Sequence, residues 1–194
     1  MNKPVLIIFA KAPRRGQVKR RLAAEIGDAA ALQFYLQQIR HRLLDLRNPK
    51  WDVVLALSGP WRLPVPMKVV VQGRGDLGQR MRRVLDGVTR PAVLIGADIP
   101  DVASGHIAAA FAEVRRTAFV FGPAADGGYW LVGTRRPCPL PRQVFTGVRW
   151  SSAYALADTL KTLPRGKVGF SATLSDVDHA NDLRAYLKRR RGSY

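Results

Sequence analysis

Short apolar runs alternate with stretches of helical periodicity along this chain, and that alternation limits the fold more than any other feature. Pro4 to Ala10 is apolar almost without interruption and reads as a fully buried strand. A helix is expected from near Val18, with Leu22, Ile26, Ala29, Leu36, Ile39, Leu43 and Leu46 close to a 3.6-residue period. Gly27-Asp28 breaks or kinks it, with Asp28 able to cap the second half. Further strands are expected at Trp51 to Leu57, Lys68 to Gln72 and Ala92 to Gly96, on both sides of Asp126, and at Lys167 to Phe170. Helices are expected after Gly73 to Gly78, with an apolar face of Leu77, Met81, Val84, Leu85 and Val88, and from a Ser104 cap through Ile107, Phe111 and Val114. Two more are expected from Ser151 or Ser152 through Leu163 and from Asn181 or Asp182 through Leu187. Ser58 to Pro66 and Pro137 to Pro141 read as loops. Strands alternating with helices predict an α/β fold with a mainly parallel sheet. With no internal repeat and no dividing linker, residues 1–194 form one expected domain.

In such sheets ligands gather at the carboxyl ends of the strands, near a switch in strand order. Three segments would meet there. The first is Lys11 to Leu22, which joins the first strand to the first helix. It carries Gly16 and five cationic side chains besides Lys11, namely Arg14, Arg15, Lys19, Arg20 and Arg21. Backbone N–H groups at a helix start and Arg forks suit a diphosphate. The segment is neither a P-loop nor a Gly-x-Gly-x-x-Gly dinucleotide fingerprint. A solvated basic loop is the alternative. The second segment is Ile95 to Asp101, where Asp98 follows an apolar strand and a Gly-Ala pair. A carboxylate there can hold Mg²⁺ or Mn²⁺, which prefer oxygen ligands. Asp101 fits a turn or helix-start role better. The third is Gly122 to Gly133, where Asp126-Gly127-Gly128 lies between two apolar runs. The glycines let a ligand approach the main chain, and Asp126 could reach a cation or a sugar hydroxyl; a plain hairpin turn is the alternative. Asp176 and Asp178 could add a metal ligand, with helix capping favoured for Asp176.

Composition narrows the classes. The chain has 32 Lys plus Arg against 14 Asp plus Glu, a net charge of +18, which attracts polyanions or phosphorylated ligands. Charge alone supports a nucleic-acid-binding domain, since no stacking platform or nucleic-acid motif accompanies it. The basic run Lys188 to Arg191 fits a solvated helix end. One cysteine, Cys138, excludes an intramolecular disulfide framework, and its place between two prolines reads as incidental. His41 and His106 read as surface helix residues, while His179 draws attention only through its neighbours. The first apolar run is too short for a signal core or membrane span, so a cytoplasmic protein is expected.

With these residues in place, the chain resembles a bacterial family of GT-A-like proteins labelled radical-SAM/selenodomain-associated transferases. The matching pieces are Phe9 to Pro13 with Gly16, Lys19, Arg21 and Leu22; Gly75 to Met81; Gly96 to Pro100; Gly122 to Ala124 with Asp126 to Trp130; Phe145 with Gly147, Trp150 and Ser151; and Asp176 to Asp178 with Asp182-Leu183. The resemblance implies a single-domain nucleotide-diphospho-sugar transferase fold, an α/β/α sandwich with a mainly parallel mixed sheet. By the same likeness Lys11, Gly16, Lys19, Arg21 and Arg80 would grip the nucleotide phosphates. Asp98 would be the first metal ligand and Asp178 the second. Asp126, Gly127, Gly128, Tyr129 and Trp150 would face the acceptor or the sugar. Arg20 departs from the pattern, because the family usually places Thr between the Lys and the Arg.

The leading expectation is a metal-dependent, glycosyltransferase-like enzyme, with Mg²⁺ or Mn²⁺, a nucleotide-activated sugar donor and a small-molecule acceptor. Lys11, Lys19 and Arg21 would neutralise the diphosphate, and Asp126 would orient the acceptor or act as base. The alternative enzyme is a nucleotidyltransferase that releases pyrophosphate. A basic nucleic-acid-binding protein, or an inactive nucleotide-binding one, is the alternative from a different class.

Overall fold

A computed structural model describes residues 3–63, 66–135 and 139–191, and its seven strands form a single sheet. In chain order the elements are β1 (Val5–Lys11), α1 (Arg20–Ile26), α2 (Asp28–Asp45), β2 (Asp52–Ser58), β3 (Lys68–Val71), α3 (Leu77–Asp86) and β4 (Ala92–Gly96). They continue with α4 (Ser104–Val114), β5 (Phe119–Pro123), β6 (Tyr129–Thr134), α5 (Ala155–Lys161), β7 (Val168–Phe170) and α6 (Ala180–Arg191). The strand order is β3-β2-β1-β4-β6-β5-β7. Only β6 runs antiparallel to its neighbours, β4 and β5. The sheet is therefore mixed and mainly parallel, as expected.

β1 is apolar throughout because it is covered on both faces. Leu6, Ile8 and Ala10 join one core cluster with Tyr35, Ile39 and Leu43 of α2 and Ile107, Phe111 and Val114 of α4. Val5 and Ile7 join another, with Met81, Val84 and Leu85 of α3 and, partly buried, Leu156 and Leu160 of α5. Burying side chains such as Ile7 and Ile8 completely contributes about 1.5–3 kcal/mol each. A third cluster fastens α1, α2 and α6 together through Leu22, Ala31, Phe34, Val177 and Tyr186.

The chain passes from β1 outward to β2 and β3, then returns to place β4 on the other side of β1. That reversal makes the carboxyl ends of β1 and β4 the switch point where ligands bind in open α/β sheets. β6 can oppose the other strands because a short turn joins it to β5, a connection open only to antiparallel strands. Gly127 holds that turn with φ +84, and a Cβ there would lie 2.2 Å from the Ala153 carbonyl oxygen. The Leu156 N–H donates to the Gly127 carbonyl, so the turn is fixed to the first turn of α5.

Several helix starts differ from the sequence reading. α1 begins at Arg20 rather than near Val18, because Lys19 is left-handed (φ 45, ψ 48) and Val18 is already buried in the core. Asp28 is the first residue of α2 and makes no capping hydrogen bond; Gly27 is the cap residue. Ser104 does not cap α4 either. Its hydroxyl donates to the Asp45 carbonyl, while His106 Nδ1 accepts the Ala103 N–H. α5 starts at Ala155, since Ser151 is left-handed and the chain turns before the helix, and Leu163 lies beyond its end. α3 starts behind a reciprocal Asp76–Gln79 capping box. Cys138, and with it part of the loop expected at Pro137 to Pro141, lies outside the described residues.

Gln72, directly after β3, is buried and ties three strands together at the carboxyl edge. Its Nε2 donates to the carbonyls of Ala10 and Ala56, both at 2.9 Å. We expect Gln72→Leu to cost about 1–3 kcal/mol, the penalty for leaving buried acceptors unpaired. Urea unfolding measures it, and an unchanged midpoint would contradict the role.

Candidate functional site

The three segments picked out by sequence do converge on the carboxyl edge, together with a fourth that follows β7. Lys19 of the first segment stands among the carboxylates of the second and the fourth. Its Nζ is 3.1 Å from Asp178 Oδ1, 3.4 Å from Asp98 Oδ2 and 3.8 Å from Asp176 Oδ2. The Lys19 side chain is only 4% exposed, against 43%, 32% and 30% for Asp98, Asp176 and Asp178. The ammonium is thus buried and the carboxylates face outward around it.

Local sequence explains each position. The left-handed Lys19 turns the chain as it leaves the basic loop, so that its side chain points inward. Asp98 follows Gly96, where a Cβ would stand 2.8 Å from Asp98 Oδ1, so the glycine gives the carboxylate room to fold back over the end of β4. Asp176 and Asp178 are held by the chain after β7. There the Leu174 N–H donates to the Pro123 carbonyl, and Asp182 at the start of α6 accepts the N–H groups of Asp178 and His179. Glu25 of α1 closes the segment from the other side, accepting the Ala180 N–H at 2.9 Å and lying 2.6 Å from His179 Nδ1.

The electrostatics follow from crowding. Burial would lower the Lys19 pKa, but Asp98, Asp178 and Asp176 together raise it above its ordinary value. Burial pushes Asp176 up to about 6, against the pull of Lys19 and with help from Asp178 and Asp98. Asp178 feels burial too, yet the charge and hydrogen bond of Lys19, with Asp176 and Arg21 also contributing, hold it below the usual range. Arg21, itself exposed, donates to Asp178 Oδ2 at 3.0 Å.

Other expected residues fall around this cluster. Lys11 is exposed at the end of β1 and lines a cavity of about 220 Å³ with Ala12, Arg14, Gln17, Ser58 and Gly59. Gly16 lies on the exposed loop, left-handed at φ 72. Arg80 donates to Gln72 Oε1, which sets it behind the ends of β1 and β3. Arg20 is exposed at the first position of α1. Asp126 is exposed at the tip of the β5–β6 turn, on the same edge of the sheet, and accepts the Gly128 N–H at 2.9 Å. Tyr129 and Trp150 pack edge to face within the core layer beneath α3 and α5, on the opposite face of the sheet from Tyr35. The Tyr129 hydroxyl accepts from Thr159, and Trp150 Nε1 is buried with no partner among the described residues. A second cavity, of about 230 Å³, lies against the start of β1 between Val70, Val88 and Arg90, away from the carboxylates.

Two residues of this edge escaped the sequence reading. Tyr35 of α2 exchanges hydrogen bonds with the Lys11 backbone, and burial followed by the nearby Asp98 charge raises its pKa. Arg42 is buried and donates to the carbonyls of Pro100 and Val102, holding the loop after Asp98. The capping role expected for Asp176 falls instead to Asp182, and Asp176 joins Asp178 in the Lys19 cluster.

Three carboxylates supply the hard oxygen donors that Mg²⁺ and Mn²⁺ prefer. The point they surround is held by Lys19, and no group of three or more His, Cys, Asp or Glu side chains among the described residues is arranged to hold a metal ion. No described helix is long and apolar enough to cross a membrane.

This architecture is the nucleotide-diphospho-sugar transferase fold. A crystal structure from Desulfovibrio desulfuricans G20, described as a "putative nucleotide-diphospho-sugar transferase", superimposes with a TM-score of 0.84 at 29% identity, over 96% of this chain and 87% of that one. Rv0371c from Mycobacterium tuberculosis H37Rv, in complex with manganese, has a TM-score of 0.54 at 19% identity, over 96% of this chain and 99% of that one. The 2-C-methyl-D-erythritol 4-phosphate cytidylyltransferase from Thermus thermophilus has a TM-score of 0.51 at 16% identity, over 98% of this chain and 100% of that one. At these lower identities the likeness is one of fold. No curated protein matches the chain. A family pattern matches residues 9–152, and the chain belongs to that family, DUF2064, described as an uncharacterized protein conserved in bacteria.

The raised Asp176 gives a signed pH effect. A carboxyl at about 6 in the folded chain, against an ordinary value of 3.8, opposes folding above pH 6, and this cost fades as pH falls towards 3.8. In chelator, Asp176→Asn should unfold at higher urea than the wild type at pH 7.5, and the gap should shrink on titration to pH 4.5. Parallel midpoints at the two pH values would contradict the crowding.

Proposed function

We propose that this protein is a metal-dependent, glycosyltransferase-like enzyme acting on a nucleotide-activated sugar donor. One observation carries the reading: the cationic loop after β1, the carboxylate after β4 and the carboxylates after β7 meet at the switch point of a nucleotide-diphospho-sugar transferase fold. The Desulfovibrio structure, at 29% identity, bears the description that fits this chemistry.

In this reading the cavity at Lys11, Arg14, Gln17 and Ser58 receives the nucleotide. Lys11, Lys19 and Arg21, with the Gly16 backbone, neutralise the donor's phosphates, and Arg80 supports the same edge through Gln72. Asp98 and Asp178, with Asp176 beside them, would hold Mg²⁺ or Mn²⁺, whose chemistry is to stabilise the charge on the departing diphosphate. The manganese complex of Rv0371c agrees with an ion on this fold. Asp126 orients the acceptor hydroxyl or takes its proton. Gly127 and Gly128 leave the main chain open beside it, while Tyr129 and Trp150 support that turn from the core.

Calorimetry with UDP, GDP, ADP and CDP, with and without Mn²⁺, tests the reading. We expect one base to bind in a Mn²⁺-dependent way, and Asp98→Asn to weaken it by about tenfold or more, near 1.4 kcal/mol, with the circular dichroism unchanged. Binding of none by the folded protein, or unchanged binding by the variant, would overturn it. Product analysis with the selected donor then separates the chemistries. A nucleoside diphosphate product supports glycosyl transfer, and pyrophosphate from the triphosphate would assign nucleotidyl transfer instead.

A further inference from the structure

The proposed cation ligands already have a cation. Lys19 Nζ lies within 3.8 Å of an oxygen of Asp98, Asp176 and Asp178, and its side chain is far less exposed than theirs. We propose that the Lys19 ammonium and a divalent cation are alternative occupants of these carboxylates, so that the free protein keeps Lys19 there and holds the ion off. The inference rests on the reading that these aspartates are the ion's ligands.

Charge and space both argue for exclusion. Two cations a few ångströms apart in a partly buried site repel, and each needs the same oxygen lone pairs. Among the described residues no three His, Cys, Asp or Glu side chains are arranged to hold a metal ion, and the three aspartates are spread around the Lys19 ammonium. Lys19 can also leave. A lysine ammonium is a compact charge on a four-carbon stem with rotatable bonds, unlike the rigid fork of arginine. Its backbone belongs to the basic loop that lines the cavity of about 220 Å³ through Arg14 and Gln17, so a displaced ammonium remains beside that cavity. Arg21 continues to hold Asp178 at 3.0 Å and keeps the segment after β7 in place. The exchange would couple the two ligands. Phosphates that draw Lys19 outward free the carboxylates, and an ion on the carboxylates frees Lys19 for phosphate.

The test uses Mn²⁺ alone, with free ion followed by electron paramagnetic resonance. Lys19→Met should bind one Mn²⁺ about tenfold or more tighter than the wild type, and adding Asp98→Asn should remove the gain. Should three uncompensated carboxylates prevent folding, the comparison moves to Asp176→Asn with and without Lys19→Met, which carries one carboxylate fewer and must show the same gain. Equal or weaker Mn²⁺ binding on loss of Lys19, in either background, overturns the proposal. Tight binding by the wild type that Asp98→Asn abolishes would also overturn it while sparing the ligand assignment. No binding by any variant would overturn both. Nucleotide calorimetry on the wild type judges the transferase reading separately.

Discussion

One buried ammonium organises the ligand edge of this molecule. Three carboxylates brought so close would repel one another, and their convergence depends on the charge of Lys19 between them. Burying ions costs several kcal/mol each, and a single partner seldom offsets that; several partners with hydrogen bonds can. Lys19 meets the condition by taking its partners from the end of β4 and the segment after β7. The pair of forces is visible in the carboxylates themselves. Asp178, hydrogen-bonded to Lys19, stays readily ionised, whereas Asp176, farther from it, is pushed up to about 6.

This arrangement inverts the character of the chain as a whole. A protein with net charge +18 has an acidic centre at its switch point, with Arg21 on its rim and Lys11 and Arg14 lining the cavity on the same sheet edge. The rim attracts anions over a distance, and the centre holds a cation of its own, the Lys19 ammonium. A metal-bound diphosphate, the ligand of the proposed function, has that same polarity, with a cation enclosed by anionic oxygens.

The strands were legible because burial leaves a plain signal. β1 and β4 are apolar on both faces, and the two runs flanking Asp126 are separated by glycines that only a tight turn requires. The location of the Lys11 loop, Asp98, Asp126 and Asp178 on one edge followed from that pattern and from the family resemblance. What escaped was set by tertiary contacts. A helix pattern that includes Val18 gives no sign that Lys19 is left-handed, because that conformation serves a partner 159 positions away. Tyr35 lies on an apolar helical stripe, and only its hydroxyl, meeting the Lys11 backbone, marks it as part of the site. Gln72 follows a short strand, and its three side-chain hydrogen bonds appear only once β1, β2 and α3 surround it.

The chain emerges from synthesis in an order that bears on this centre. Residues 9–152 carry the family pattern, while Asp176 and Asp178 follow it by more than twenty residues. Lys19 is therefore made early and waits for Asp178, a partner 159 positions further along the chain. Until then its charge has only Asp98 to offset it, and β5 lacks the edge strand β7. Domains are built from the N-terminus at roughly 5–20 residues per second, so the interval spans on the order of ten seconds. For the later part of that time the β5 edge of the nascent sheet is open, and the segment from β7 to Asp178 both covers it and completes the ion cluster.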